Sequence, residues 1–101
     1  MPVVSMMRIP GDADQLEAAA REHLTEVAER LAEKHGRILS LAAKTDDGLL
    51  LINLWENEEG RHAMAEEPEI QDALRAAGFP PPNFEAHEVV WSTGVPAAAR
   101  T

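Results

Sequence analysis

The sequence contains no cysteine and no tyrosine, and aromatic residues make up only 4% of it. Without thiols there is no disulfide framework, no thiolate metal site and no cysteine nucleophile. Without a phenol, no tyrosine can orient a substrate oxygen or supply its proton. Basic residues are scarce as well: Lys and Arg number 9 against 18 Asp and Glu, a formal net charge of −9. That sign argues against a surface for nucleic acid or for an anionic membrane, since both bind through clustered cations. No apolar run is long enough to span a bilayer. The start, Met1-Pro2-Val3-Val4-Ser5, lacks the basic and apolar regions of a secretory signal. A cytoplasmic protein is therefore expected. There is no glycine-rich phosphate loop of the dinucleotide type and no clear triplet of metal ligands, so no metal, flavin or haem cofactor is expected.

What is present is an ordinary globular composition of 101 residues, 45% hydrophobic and 27% charged. That suits one domain with a modest core. Residues 1–92 are expected to form it, with 93–101, which hold Gly94, Pro96 and three alanines, as a loose tail. The chain is organised around Leu49-Leu50-Leu51-Ile52-Asn53-Leu54-Trp55, which is apolar on both faces of a strand and runs directly into Glu56-Asn57. A strand of this kind is covered on both sides. Leu50, Ile52 and Leu54 give a purely aliphatic side. Leu49, Leu51, Asn53 and Trp55 give a side with an amide and an indole, each of which requires a hydrogen-bond partner when buried. That second side is the place to expect a pocket.

In chain order, Val3–Ile9 alternates as a strand and Pro10-Gly11 ends it. Asp12–His35 reads as one helix, with Asp12 and Gln15 as a capping pair and an inward stripe of Leu16, Ala20, His23, Leu24, Val27 and Leu31. Arg37–Lys44 is a second strand. The turn Thr45-Asp46-Asp47-Gly48 then makes a hairpin with Leu49–Glu56. Asn57 caps a helix over Glu58–Ala77 that breaks at Pro68. A stiff Phe79-Pro80-Pro81-Pro82 link leads to a last strand, Asn83–Ser92. The order β-α-β-β-α-β predicts an α+β fold, the ferredoxin-like split βαβ with an antiparallel sheet and its helices on one face. The other face would remain an open apolar patch, and a second copy packed sheet to sheet is its simplest cover.

A β-α-β-β-α-β chain of this length, with its third strand ending in Trp55-Glu56 and an acidic helix start at Asn57-Glu58-Glu59, resembles the antibiotic biosynthesis monooxygenase-like family of the dimeric α+β barrel superfamily. The likeness runs from Val3 to about Trp91. It implies a homodimer whose two sheets form a barrel, with a pocket in each subunit between sheet and helices. Some members oxidise aromatic polyketides with oxygen and no cofactor, others cleave haem, and others have no shown activity. This chain departs from the haem-degrading pattern, which places a Trp and then a His at the positions of Met64 and Leu74. Other members carry a His at the position of Met64, and an aromatic or large apolar residue near that of Arg61.

Candidate site residues follow from both readings. Asn53, an amide in an aliphatic strand, is costly there unless satisfied, so it serves either the core or a site, where it is a candidate catalytic residue that orients the substrate. Trp55 and Leu51 share its face and read as pocket wall or core, as does Met64. His23 lies on the helical stripe as a pocket wall or a core histidine. His62 and His87 are the candidate general bases, since imidazole titrates near neutrality; each also reads as an ordinary surface residue. His62 and Glu66 at i,i+4 lack an evident third metal ligand. Two functions remain open: a cofactor-independent monooxygenase acting on a small aromatic molecule, or a non-catalytic, stress-associated or small-molecule-binding dimer.

Overall fold

The computed structural model describes residues 2–81 and 83–93. Four strands form one antiparallel sheet: β1 (Val3–Pro10), β2 (Arg37–Thr45), β3 (Gly48–Trp55) and β4 (Glu85–Glu88), in the spatial order β2-β3-β1-β4. Four helical segments complete it: α1 (Ala13–His23), α2 (Thr25–Lys34), α3 (Glu58–Ala65) and α4 (Pro68–Ala76). This is the ferredoxin-like arrangement expected from the element order. β2 and β3 pair antiparallel through Thr45↔Gly48, as the Asp-Gly turn requires. The tail expected over 93–101 lies, from Gly94 onward, outside the described residues.

The helix expected over Asp12–His35 is two segments. Asp12 caps the first, its Oδ1 accepting from the Gln15 N–H at 2.9 Å. The break falls at Leu24, with φ −118° and ψ −42°. There the Thr25 hydroxyl donates to the Ala20 carbonyl at 3.0 Å. Side-chain hydroxyls that compete for helix carbonyls bend the helix locally. The hydrogen bonds Leu24 N–H to Ala20 and Ala28 N–H to Leu24 persist on either side, so the interruption is brief. Its effect on packing is large. Leu16, Ala19 and Ala20 settle on one core cluster, built on Met7, Ile9, Leu74, Ala77 and Phe79. Val27, Ala28 and Leu31 serve a second, built on Trp55, Met64 and Ile70. Each large apolar side chain so buried contributes about 1.5–3 kcal/mol.

The second helical region breaks at Pro68, as its sequence predicts, because proline is tolerated in the first turn of α4 but not inside a helix. Asn57 caps α3 by accepting from the Gly60 N–H at 2.8 Å. Gly60 itself lies against the end of α2: a Cβ there would stand 2.0 Å from the His35 carbonyl oxygen.

The last strand is much shorter than the expected Asn83–Ser92. β4 pairs with β1 only from Met6↔Glu85 to Val3↔Glu88, and the Val89 N–H to Pro2 bond is the last of the series. Pro2 accepts that bond but has no N–H with which to continue the ladder, and Val90 and Trp91 stand 87% and 82% exposed rather than in a sheet.

The helices cover the face that carries Val3, Ser5, Met7 and Ile9 of β1. The register places Trp55, Asn53, Leu51 and Leu49 beside them. Trp55 is 4% exposed and Ser5 1%, and the indole Nε1–H donates to the Ser5 Oγ at 3.0 Å. Ser5→Ala should therefore leave a buried N–H without a partner and cost about 1–3 kcal/mol. In a Trp55→Phe background the same change should cost far less. Urea midpoints of the two single variants and the double variant measure this coupling.

Candidate functional site

Between the inner face of the sheet and the helices lies a cavity of about 710 Å³. This is within the range of about 300–1,000 Å³ usual for small-molecule sites. Ser5, Leu51, Asn53 and Trp55 form its floor. Leu24, Ala28 and Ala32 of the kinked helix and Met64 and Leu74 of the second helical pair form much of its roof. The bend at Leu24 is what allows one helical stretch to arch over both core clusters and leave space between them.

Of the residues named from the sequence, Asn53, Trp55, Leu51 and Met64 come together in this cavity. Trp55 cannot offer its N–H to a ligand, because Ser5 already accepts it; it presents ring surface. Asn53 differs. Among the described residues no hydrogen bond involves its side chain, and no buried side-chain N or O atom lacks a partner. Its amide is half-buried, lines the cavity and is open to it. It can accept from and donate to an occupant at the same time.

The histidines stand elsewhere. All four belong to the described residues, and none lines the cavity. His23 lies just before the Leu24 bend, where Leu24 turns inward; the imidazole points out and sits 3.6 Å from Glu22. His62 is 65% exposed on α3 and pairs with Glu66 at 3.3 Å. His87 is 59% exposed, pairs with Glu85 at 3.3 Å, and borders a shallow depression with Val3, Asn57, Glu58 and Glu59. His35, the most buried of the four, is bonded to Glu67 at 3.3 Å and ties the end of α2 to the α3–α4 junction. No group of three His, Asp or Glu side chains placed to hold a metal occurs among the described residues.

Ser5, Arg37 and Arg61 are among the cavity residues not singled out from the sequence as site residues. Ser5 had a legible signal, a hydroxyl within an otherwise apolar strand face. Arg37 and Arg61 had none, because a basic residue at a strand start or in a first helical turn is normally solvated. Their side chains are nevertheless only 15% and 17% exposed. Arg37 donates from Nη2 to Glu29 at 2.7 Å. Arg61 donates from Nε to both Glu58 oxygens at 2.9 and 3.0 Å. This hydrogen bonding holds the Glu58 carboxyl below the usual carboxylate range, despite an opposing push from its small desolvation, and it raises Arg61 in turn. A carboxylate held low stays ionised at neutral pH. The pair is therefore intact there and opens only as the pH falls through the lowered value.

Comparison with known proteins matches the fold. No family model matches the chain, and no curated protein matches its sequence. Among solved structures, a candidate antibiotic biosynthesis monooxygenase from Deinococcus radiodurans superposes with a TM-score of 0.64 at 19% identity, covering 96% of this chain and 100% of its own. A second candidate of that name, from Chloroflexus aurantiacus, gives 0.58 at 20% identity over 94% and 97% of the two chains. SnoaB, a cofactor-independent oxygenase from Streptomyces nogalater, gives 0.63 at 9% identity over 92% and 95%. The chain thus has the fold of the antibiotic biosynthesis monooxygenase-like structures.

The open amide gives Asn53 a testable role. Asn53→Leu should leave stability unchanged or raise it slightly, since no protein partner is lost. It should weaken binding of any ligand held through the amide by about tenfold. Thermal unfolding and calorimetric titration on the same preparation measure the two effects separately.

Proposed function

We propose that the protein is a homodimer that binds a small, flat aromatic or hydrophobic molecule in the cavity of each subunit. The observation that carries this reading is a largely apolar cavity of about 710 Å³ with the open Asn53 amide on its floor beside Trp55. Leu51, Trp55 and Met64 would supply apolar contact, and the Asn53 amide would fix the orientation of a polar substituent.

The dimer rests on the other face of the sheet. Val4 and Met6 of β1, Leu50, Ile52 and Leu54 of β3, and Leu39 and Leu41 of β2 point away from the helices. Leu39 and Leu41 are 41% and 44% exposed in the single chain. A continuous aliphatic face of this extent suits a symmetric partner. Sedimentation should give the mass of two 11.0 kDa chains at micromolar concentration. Ile52→Lys should shift it to one chain, because a charge at the centre of the buried face has no partner. A wild-type protein that sediments as a single chain removes the dimer.

A second reading, cofactor-independent oxygenation, is favoured by the open amide and by the likeness to SnoaB. The protein would bind an electron-rich hydroxylated aromatic, help its deprotonation and exclude water, while the substrate itself reduces oxygen. His62 and His87 are the proposed bases, but both lie outside the cavity of a single subunit. This favours binding without catalysis, or a substrate acidic enough to lose its proton unaided. Oxygen consumption with hydroxylated anthrone-type aromatics distinguishes these cases. No consumption despite measurable binding leaves the binding protein. Consumption unchanged in His62→Gln and His87→Gln keeps the oxygenase and removes the histidines as bases. No binding across the panel overturns the cavity reading itself.

A further inference from the structure

The distribution of charge around the cavity runs against that of the whole chain. The protein carries a net charge of −9, yet Arg21, Arg37, Lys44 and Arg61 all line this one space, four of its nine basic residues. Asp14, Glu17 and Glu29 line it too, but they are only three of eighteen acidic residues. Arg21 and Lys44 are largely exposed. Arg37 and Arg61 are not, and both stand near Trp55. Arg37 is the register partner of Trp55 at the start of β2. Arg61 lies one helical turn before Met64, which packs in the same cluster as Trp55.

A guanidinium withdrawn from water needs its donors met. Each of these two is met only in part, by a single carboxylate that is itself well exposed: Glu29, which also lines the cavity, and Glu58 are 62% and 56% exposed. Arg37 uses only Nη2, leaving Nε and Nη1 without a hydrogen bond among the described residues. Arg61 uses Nε and Nη2, leaving Nη1. No buried side-chain nitrogen among the described residues is sealed without a partner, so these free donors keep access to solvent, and both arginines line the cavity. Each carboxylate steadies its arginine while leaving donor capacity unused. Arginine's planar fork presents paired donors that match the two oxygens of a carboxylate.

We infer that the Trp55 end of the cavity is an anion-recognition subsite, in which Arg37 and Arg61 receive the carboxylate of an otherwise apolar, flat ligand. The inference rests on the cavity being a ligand site, and it narrows the ligand class from aromatic compounds in general to aromatic acids. The ring would lie against Trp55, Leu51 and Met64, and the acid group would face the two arginines.

The test compares naphthoate with naphthamide, which share a ring system and differ in charge, by calorimetric titration of the full chain at neutral pH. The acid should bind about tenfold more tightly than the amide, the value of one or two charge-assisted hydrogen bonds. Arg37→Gln and Arg61→Gln should each remove most of that preference while leaving the amide's affinity within about twofold. Both replace ion pairs with exposed partners, and thermal unfolding of each variant checks that the fold is kept. Should Arg61→Gln fail to fold, the wild-type comparison and Arg37→Gln decide the matter. Equal affinity for acid and amide in the wild-type protein overturns the inference and leaves the cavity reading standing, as does a preference that survives substitution of the arginines. Absence of binding by either compound sinks the cavity reading, and the inference with it.

Discussion

The hydrogen bond from the Trp55 indole to the Ser5 hydroxyl ties the centre of this protein together. It spans 50 residues of sequence and crosses diagonally between the two central strands. A tryptophan 4% exposed would otherwise hold a buried N–H with nothing to receive it. With the bond made, the indole is fixed as a wall. The core cluster of Leu31, Met64 and Ile70 packs on it, and the cavity opens beside it. The same bond leaves the neighbouring amide of Asn53 without a competitor, so one polar group on the floor is structural and the other is open to an occupant.

The space above that floor depends on the bend at Leu24. A straight helix would lay its stripe along one line over the sheet. The Thr25 hydroxyl, taking the Ala20 carbonyl, divides the helix so that its first half serves the Met7–Ile9 cluster and its second half the Trp55 cluster. The two clusters are held by one covalent element without closing into one continuous core. Gly60 and the Asn57 cap then seat α3 against the end of α2, which brings Met64 and Arg61 to the cavity. No helix among the described residues is long and apolar enough to cross a membrane, and the amphipathic segments spend their apolar faces on this packing.

The two faces of β3 explain why a chain of this size is so unevenly apolar. One face builds the cavity. The other, with its aliphatic neighbours on β1 and β2, is left open by the helices. The arginines at the cavity show the same economy. In a strongly acidic protein they are paired with well-exposed glutamates, so that cationic groups persist where the surroundings are mainly apolar.

Much of the fold was legible in the sequence because most boundaries carried their own local signal. Asp12 and Asn57 cap, Pro68 breaks, Asp47-Gly48 turns, and the double-faced strand Leu49–Trp55 could only be central. Strand alternation also placed Leu51, Asn53 and Trp55 on one face, since that follows from the period of the strand alone. Three things were settled by tertiary structure. The extent of β4 depends on where it pairs with β1, and it takes up only Val3 to Met6 of that longer strand. The place of His23 outside the cavity goes with an interruption at Leu24, beside a hydroxyl–carbonyl bond, in a helix whose periodicity looked continuous. The burial of Arg37 and Arg61 beside Trp55 depends on which elements meet across the sheet, and a charged residue in a strand start or a first helical turn gives no local sign of that. Local sequence determines backbone conformation and the face a side chain takes; what that face meets is a property of the packed chain.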